Sequence, residues 1–258
     1  MRNVRILVAY DGARFFGWQR QDGFESVQET IEEGLEAFLH RPVVVHGAGR
    51  TDTGVHALGQ VAHFHVDTPL DDNRLRRALN AHLPPEVVVR ALETCPAEFH
   101  SRFHARGKRY LYLIWTDAEP SPFVRGRAWA VRGVLDVDAI RRAAAHLVGE
   151  HDFTSLASSG SPRRSNVRTI TSLRIVRRRN RLALVVQGNG FLYNMVRTIA
   201  GSLVDVGRGR TSVDEFAAAL AALDRSRAGP TAPAAGLYLL SVRYAEPCFA
   251  ARSAPARD

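Results

Sequence analysis

Lysine is all but absent: of 35 Lys and Arg residues only Lys108 is lysine, against 26 Asp and Glu, for a formal net charge of +9 over 258 residues. Arginine presents a planar fork that grips phosphate bidentately and stacks on rings, whereas lysine is a point charge. A GC-rich coding bias is the plain alternative account of the composition. Cysteine is equally scarce. Cys95 and Cys248 are too few and too far apart in sequence for a CxxC zinc site or a disulfide framework, and both read as inert thiols. No run of about 18 apolar residues is present, and the opening MRNVRILVAYDG reaches a polar turn too soon for a signal peptide. The expectation is a cytoplasmic protein with no membrane partner. With 45% hydrophobic and 24% charged residues, collagen-like, coiled-coil and disordered readings are excluded. At about 150 residues per domain, the length fits one large or two modest domains. Burial of roughly 70% of the unfolded surface gives such a chain a core without staples.

Acidic residues are missing from one long stretch. Between Asp152 and Asp205 there is none, yet nine arginines occur: Arg163, Arg164, Arg168, Arg174, Arg177, Arg178, Arg179, Arg181 and Arg197. One sign of charge over that length favours a polyanionic partner, of which nucleic acid is the commonest. A solvated basic face is the alternative.

Hydrophobic periodicity organises the rest. Strands are expected at 2–10, 43–45, 60–66 and 87–92, with a polar, glycine-punctuated loop at 47–57. Ser26 with Glu29 reads as a capping box opening a helix whose stripe of Ile31, Leu35 and Phe38 runs to about His40. A second helix spans 72–82. Beyond it, alternation predicts strands at 102–115 and 128–131, a helix at 137–147, a basic loop around 160–167 and a hairpin of 170–176 with 182–187. Helices at 191–206 and 212–223 and a strand at 237–244 complete the pattern. This order predicts an α+β fold of two similar α/β-sandwich halves, with mixed, largely antiparallel sheets, helices on one face and a catalytic cleft between the halves. The domains are expected at 1–100 and 101–247, with a loose tail at 248–258.

The segment Gly49-Arg50-Thr51-Asp52-Thr53-Gly54-Val55-His56-Ala57 sets one carboxylate between hydroxyl residues and glycines in a loop. Such a loop delivers a carboxylate to a cleft, and Arg50 beside it favours the ionised form. A simple turn is the competing reading. Neither a P-loop nor a dinucleotide-binding glycine pattern is present. His63, His65, His100 and His104, with Asp52, raise a metal-dependent hydrolase as an alternative, though no zinc signature accompanies them. Tyr110 and Tyr112 alternate on a strand beginning Lys108-Arg109, an arrangement suited either to stacking on bases or to a core. Arg197 stands in an apolar helix and requires a partner, such as a carboxylate from the other half. A tRNA-binding or structural RNA-binding protein without catalysis would use the same arginines and tyrosines.

Several of these motifs occur together in one family. Tyr10-Asp11-Gly12, Phe16-Gly17-Trp18-Gln19, Ser26-Val27-Gln28, the Gly49 to Ala57 segment, Asn80, Leu83-Pro84, Phe99-His100-Ser101-Arg102-Phe103, Lys108-Arg109-Tyr110, His151-Asp152-Phe153, the Phe191 to Gly201 helix and the ending Ala232 to Leu239 closely resemble the TruA-like tRNA pseudouridine synthases. The matches run in order from about residue 6 to residue 244. The resemblance implies isomerisation of uridine to pseudouridine at positions 38 to 40 of the tRNA anticodon stem-loop, by a homodimer of two-domain subunits without cofactor or metal. It implies Asp52 as the catalytic carboxylate, with Tyr110 and Arg197 as further catalytic residues. Arg50, Arg109, Tyr110, Arg163, Arg164 and Arg168 become the expected substrate contacts. Ala13 and Leu111 depart from the family pattern, where a hydroxyl residue and an arginine are frequent.

Overall fold

Strand β1 (Arg2–Tyr10) lies between β3 (His56–Val66) and β4 (Val87–Cys95), antiparallel to both. Its alternate residues Val4, Ile6 and Val8 are fully buried, and the register sets Val4 against Phe64 and Ile6 against Ala62 on the same face. The helices α1 (Val27–Leu39) and α2 (Asp72–His82) supply matching stripes, Val27, Ile31 and Leu35 from one and Leu75 and Leu79 from the other, all without solvent exposure. Burying each such side chain contributes about 1.5–3 kcal/mol, and the four-residue spacing follows from the helical repeat. Ser26 caps α1 by accepting from Glu29 N at 3.3 Å, and left-handed His40 (φ 54°) ends it. The expected capping box is only half made, because the Glu29 carboxylate pairs with Arg20 instead.

The described residues are 1–117, 119, 121–158 and 165–249 of this computed structural model. They form two compact units, one of Met1–Arg106 with the chain from Leu239 onward, the other of Gly107–Tyr238. In the first, the strand order is β4, β1, β3, β10, where β10 is Leu237–Arg243, and the short β2 (His46–Gly47) pairs with β3. The sheet face opposite the helices carries a smaller cluster of Ala48, Val61, Cys95 and Phe99, with Leu7, Val242, Tyr244, Cys248 and Phe249 against it.

Three expectations change here. Residues 43–45 are not a strand, because Val45 N donates to the buried Glu32 carboxylate at 3.0 Å rather than to a sheet neighbour. Residues from Leu239 return to the first unit rather than staying with 101–247. Cys248 and Phe249 are anchored rather than loose, with Phe249 N on Glu93 Oε1 at 2.7 Å; the rest of the tail, 250–258, lies outside the described residues. The two cysteines thus share one cluster, and burial pushes the Cys95 thiol up to about 11.

In the second unit β5 (Gly107–Trp115), β9 (Arg181–Gly188), β8 (Val167–Arg178) and β7 (Gly149–Asp152) pair in that order, each antiparallel to its neighbour. Two-residue β6 (Trp129–Ala130) runs parallel beside the end of β5. Helices α3 (Val137–Ala145), α4 (Met195–Gly207) and α5 (Val213–Ala221) bury Ile140, Ile199, Leu203 and Phe216. A complete capping box, Ser212 with Glu215, opens α5. Strand β5 starts at Gly107 rather than 102 because residues 100–104 form a turn, in which His104 N donates to His100 O. Helix α4 starts at Met195 rather than 191, after left-handed Asn194 (φ 59°). Each unit is α+β with a mostly antiparallel sheet.

Candidate active site

The loop between β2 and β3 is held on both flanks. Trp18 N donates to Thr51 O at 3.0 Å, Gly54 N to Phe15 O at 3.2 Å, and Val55 N to Asp52 O at 3.1 Å. The chain at 12–17 lies so close that only glycine fits. A Cβ on Gly12 would stand 2.0 Å from Val55 O, and one on Gly17, whose φ is +92°, 2.5 Å from Thr51 O. The buried Thr51 side chain bonds Tyr10 Oη at 2.8 Å, while Gln60 Nε2 donates to Gly49 O at 2.8 Å. Burial holds the Tyr10 phenol well above the usual tyrosine range, so it serves only as a neutral hydrogen-bonding group. His56 Nδ1, at the start of β3, lies 3.1 Å from both Gly12 N and Asp11 Oδ1. The half-buried Asp52 side chain therefore stands on a backbone that has little freedom to move.

Arg50, two residues before it, is exposed, yet its guanidinium is oriented. Arg50 Nε donates to Gln19 Oε1 at 3.2 Å, Gln19 Nε2 to Gln28 Oε1 at 2.8 Å, and Gln28 Nε2 to Glu32 Oε1 at 2.9 Å. Arg20 binds the other Glu32 oxygen at 3.1 Å. A chain of amides anchored on α1 thus sets this arginine, a role that sequence reasoning missed for Gln19, Gln28 and Glu32, as it missed the bracing of the loop by Tyr10 and Thr51. The signal was partial: Gln19, Gln28 and Tyr10 lie in segments that carry the resemblance, but nothing in one dimension links them to the loop.

The remaining expected residues belong to the second unit. Tyr110 is 7% exposed, with Phe191 edge-on to its ring at 5.1 Å. Tyr112, on the same strand face, is fully buried and donates to Pro233 O at 2.7 Å. It is a core tyrosine and not a stacking ring. Arg197 Nε donates to Ala232 O at 2.8 Å and Nη1 to Asn194 Oδ1 at 2.9 Å, so the left-handed helix cap and the 229–232 segment fix its plane. Arg109 is exposed. Arg168 is half-buried, with Nη1 on Ser165 O at 3.1 Å and Val167 O at 2.6 Å. Arg163 and Arg164 lie outside the described residues.

The histidines are engaged differently from a metal set. Among the described residues no group of three or more His, Cys, Asp or Glu is disposed to hold a metal ion. His63, 2% exposed, accepts from Ser101 N at 3.3 Å through Nδ1, with Ser101 Oγ 3.0 Å away. Burial, then the neighbouring His100 and His46, push its pKa down to about 4.

Residues 6–104 and 143–245 match the family described as tRNA pseudouridine synthase. The chain is 43% identical over 244 residues to tRNA pseudouridine synthase A of Acetivibrio thermocellus, covering 95% of this chain and 100% of that protein. It is 44% identical over 245 residues to the protein of that description from Ruminiclostridium cellulolyticum, with coverage of 95% and 100%. Against a crystal structure of the archaeal box H/ACA sRNP Nop10-Cbf5 complex the TM-score is 0.38, with 12% identity over 78% of this chain and 44% of that one. The family assignment rests on the sequence relatives. These define an RNA-modifying isomerase. The chain belongs to the tRNA pseudouridine synthase family, whose reaction converts uridine to pseudouridine in tRNA.

Proposed function

We propose that this chain isomerises uridine at positions 38 to 40 of the tRNA anticodon stem-loop, with Asp52 as the catalytic carboxylate. The observation that carries this reading is the doubly clamped loop, which fixes the Asp52 backbone between Trp18 and Phe15 on one side and Tyr10 on the other. A preorganised carboxylate is what the chemistry needs, since a group that must be ordered in the transition state costs rate. The uracil leaves its ribose at N1, turns and rejoins through C5, after extrusion from the stack. Ionised Asp52 acts as a nucleophile toward C1′ of the sugar or C6 of the base, or as the base that removes a ribose proton. A covalent route divides one difficult step into two easier ones.

Arg197 is assigned as the cation that keeps the reacting carboxylate ionised, a role supported by the two acceptors that orient its guanidinium. Tyr110 contacts the flipped base or relays the proton lost from C5, supported by its fixed ring against Phe191. Arg50, Arg109 and Arg168 are assigned to tRNA phosphates, which position the substrate without reading its sequence. Arg163 and Arg164 share that assignment on their charge alone. The enzyme is read as a cytoplasmic homodimer that needs no cofactor.

The test uses an unmodified tRNA transcript tritiated at C5 of uridine, with the wild-type protein and Asp52→Asn, in EDTA. Wild type is expected to release tritium, and Asp52→Asn to bind the tRNA without release. Release by Asp52→Asn at the wild-type rate refutes the assignment of Asp52. Binding by wild type without release refutes turnover on that substrate.

A further inference from the structure

The turn at 100–104 in the first unit takes no part in the reaction proposed above, and it has two unusual properties. Its backbone is held by imidazoles: Ser101 N donates to His63 Nδ1 at 3.3 Å, Arg102 N and Phe103 N to His100 Nδ1 at 3.1 and 3.4 Å, and His100 N to His104 Nδ1 at 3.1 Å. Ser101 Oγ donates to His46 O at 2.6 Å, and Tyr244 Oη to Ser101 O at 2.7 Å, docking the turn on β2 and the returning chain. The rigid platform so built then leaves a large apolar ring in water. Phe103 is 73% exposed, its ring tilted on His100 at 4.2 Å and the Arg102 guanidinium 5.7 Å away.

A ring this exposed buries little apolar surface in the fold, and a fixed, solvent-facing aromatic flanked by a cation is the arrangement that stacks on an unpaired base. The charge around it agrees. Within the first unit no acidic residue follows Glu98 through Arg106, whereas Arg102 and Arg106 do, and His46, His65 and His104 are exposed near the same turn. His46 opens β2, the strand that leads into the loop that carries Asp52, so an RNA held here is held beside the strand that feeds that loop.

We propose that the 100–104 turn is an RNA-docking platform, in which Phe103 stacks on an unpaired nucleotide of the tRNA and Arg102 meets a flanking phosphate. This rests on the tRNA substrate class and not on the assignment of Asp52. Phe103 positions the substrate and does not touch the reacting atoms.

The experiment compares wild type with Phe103→Ala, Phe103→Trp and Arg102→Ala, measuring tRNA-transcript affinity by filter binding at several salt concentrations, kcat and KM by tritium release, Tm, and mass by sedimentation. Phe103→Ala is expected to raise Kd and KM about tenfold with kcat unchanged, in the range for loss of one base stack. Phe103→Trp is expected to stay within about twofold of wild type. Arg102→Ala is expected to shallow the slope of log K against log salt by about one. Unchanged Kd in Phe103→Ala overturns the proposal. So does a fall in Tm, which gives the ring a structural role, or loss of a dimer, which makes the face a contact between copies of the chain. Were wild type to bind tRNA without tritium release, the binding arm would still decide the docking claim on its own.

Discussion

Acid titration of His63 tests how the first unit is held together. The ring is 2% exposed, with His100 at 4.6 Å, His46 at 5.1 Å and His65 at 6.1 Å between centroids, and Phe99 edge-on. Its Nδ1 lone pair receives Ser101 N–H, so protonation removes an acceptor and places a charge among other imidazoles. Its pKa falls from 6.5 unfolded to about 4 folded, through burial first and the neighbouring histidines next. A depressed folded pKa means the stabilisation is fully present above the unfolded value and drains away as pH falls from 6.5 toward 4. The two values alone give about 2 kcal/mol lost by pH 5. Screening by water around the partly exposed neighbours reduces this to on the order of 1–2 kcal/mol. Urea unfolding from pH 7.5 to 4.5 on wild type and His63→Asn, whose Oδ1 takes the place of Nδ1 as acceptor for Ser101 N without titrating, isolates the effect. The wild-type curve is expected to fall more steeply below about pH 6.5. Parallel curves through that window would refute the buried, neutral state of His63.

Three further outcomes follow from the loop geometry. Tyr10→Phe removes the partner of Thr51 Oγ1, so stability is expected to fall by about 1 kcal/mol and kcat several-fold with KM unchanged; an unchanged kcat in tritium release shows that this bond does not position the loop. Gly12→Ala drives a Cβ to 2.0 Å from Val55 O, with an expected loss of about 3 kcal/mol or more in chemical denaturation; a wild-type midpoint refutes the close approach. Arg50→Ala leaves the amide chain at Gln19 intact and is expected to raise KM with no change in Tm, a split that a change in Tm would contradict.

Where a signal is local, it was legible. The bounds of α2, the Ser26 cap, the hairpin of 170–176 with 182–187 and the Asp52 loop follow from periodicity, hydroxyl caps and turn residues within a few positions of one another. The candidate site was legible as residue types, and its supports were not. Tyr10 is 41 residues from Thr51, and Gln19, Gln28 and Glu32 make their links to Arg50 only once α1 is folded onto the loop.

The sequence by itself determined the family and the α+β alternation and singled out Asp52 as a candidate, because motif order, the helical and strand repeats and turn chemistry are properties of neighbouring residues. Tertiary structure alone decided that Tyr110 and Tyr112 are both buried, that 43–45 yields its backbone to Glu32, and that the chain after Leu239 returns to the first unit with Cys248 beside Cys95. It also turned three of the four histidines that suggested a metal set, His63, His100 and His104, into acceptors for a turn. In each case the outcome depends on which buried groups meet across distant segments, and a burial partner is chosen by the packing of the whole unit, not by the spacing along the chain.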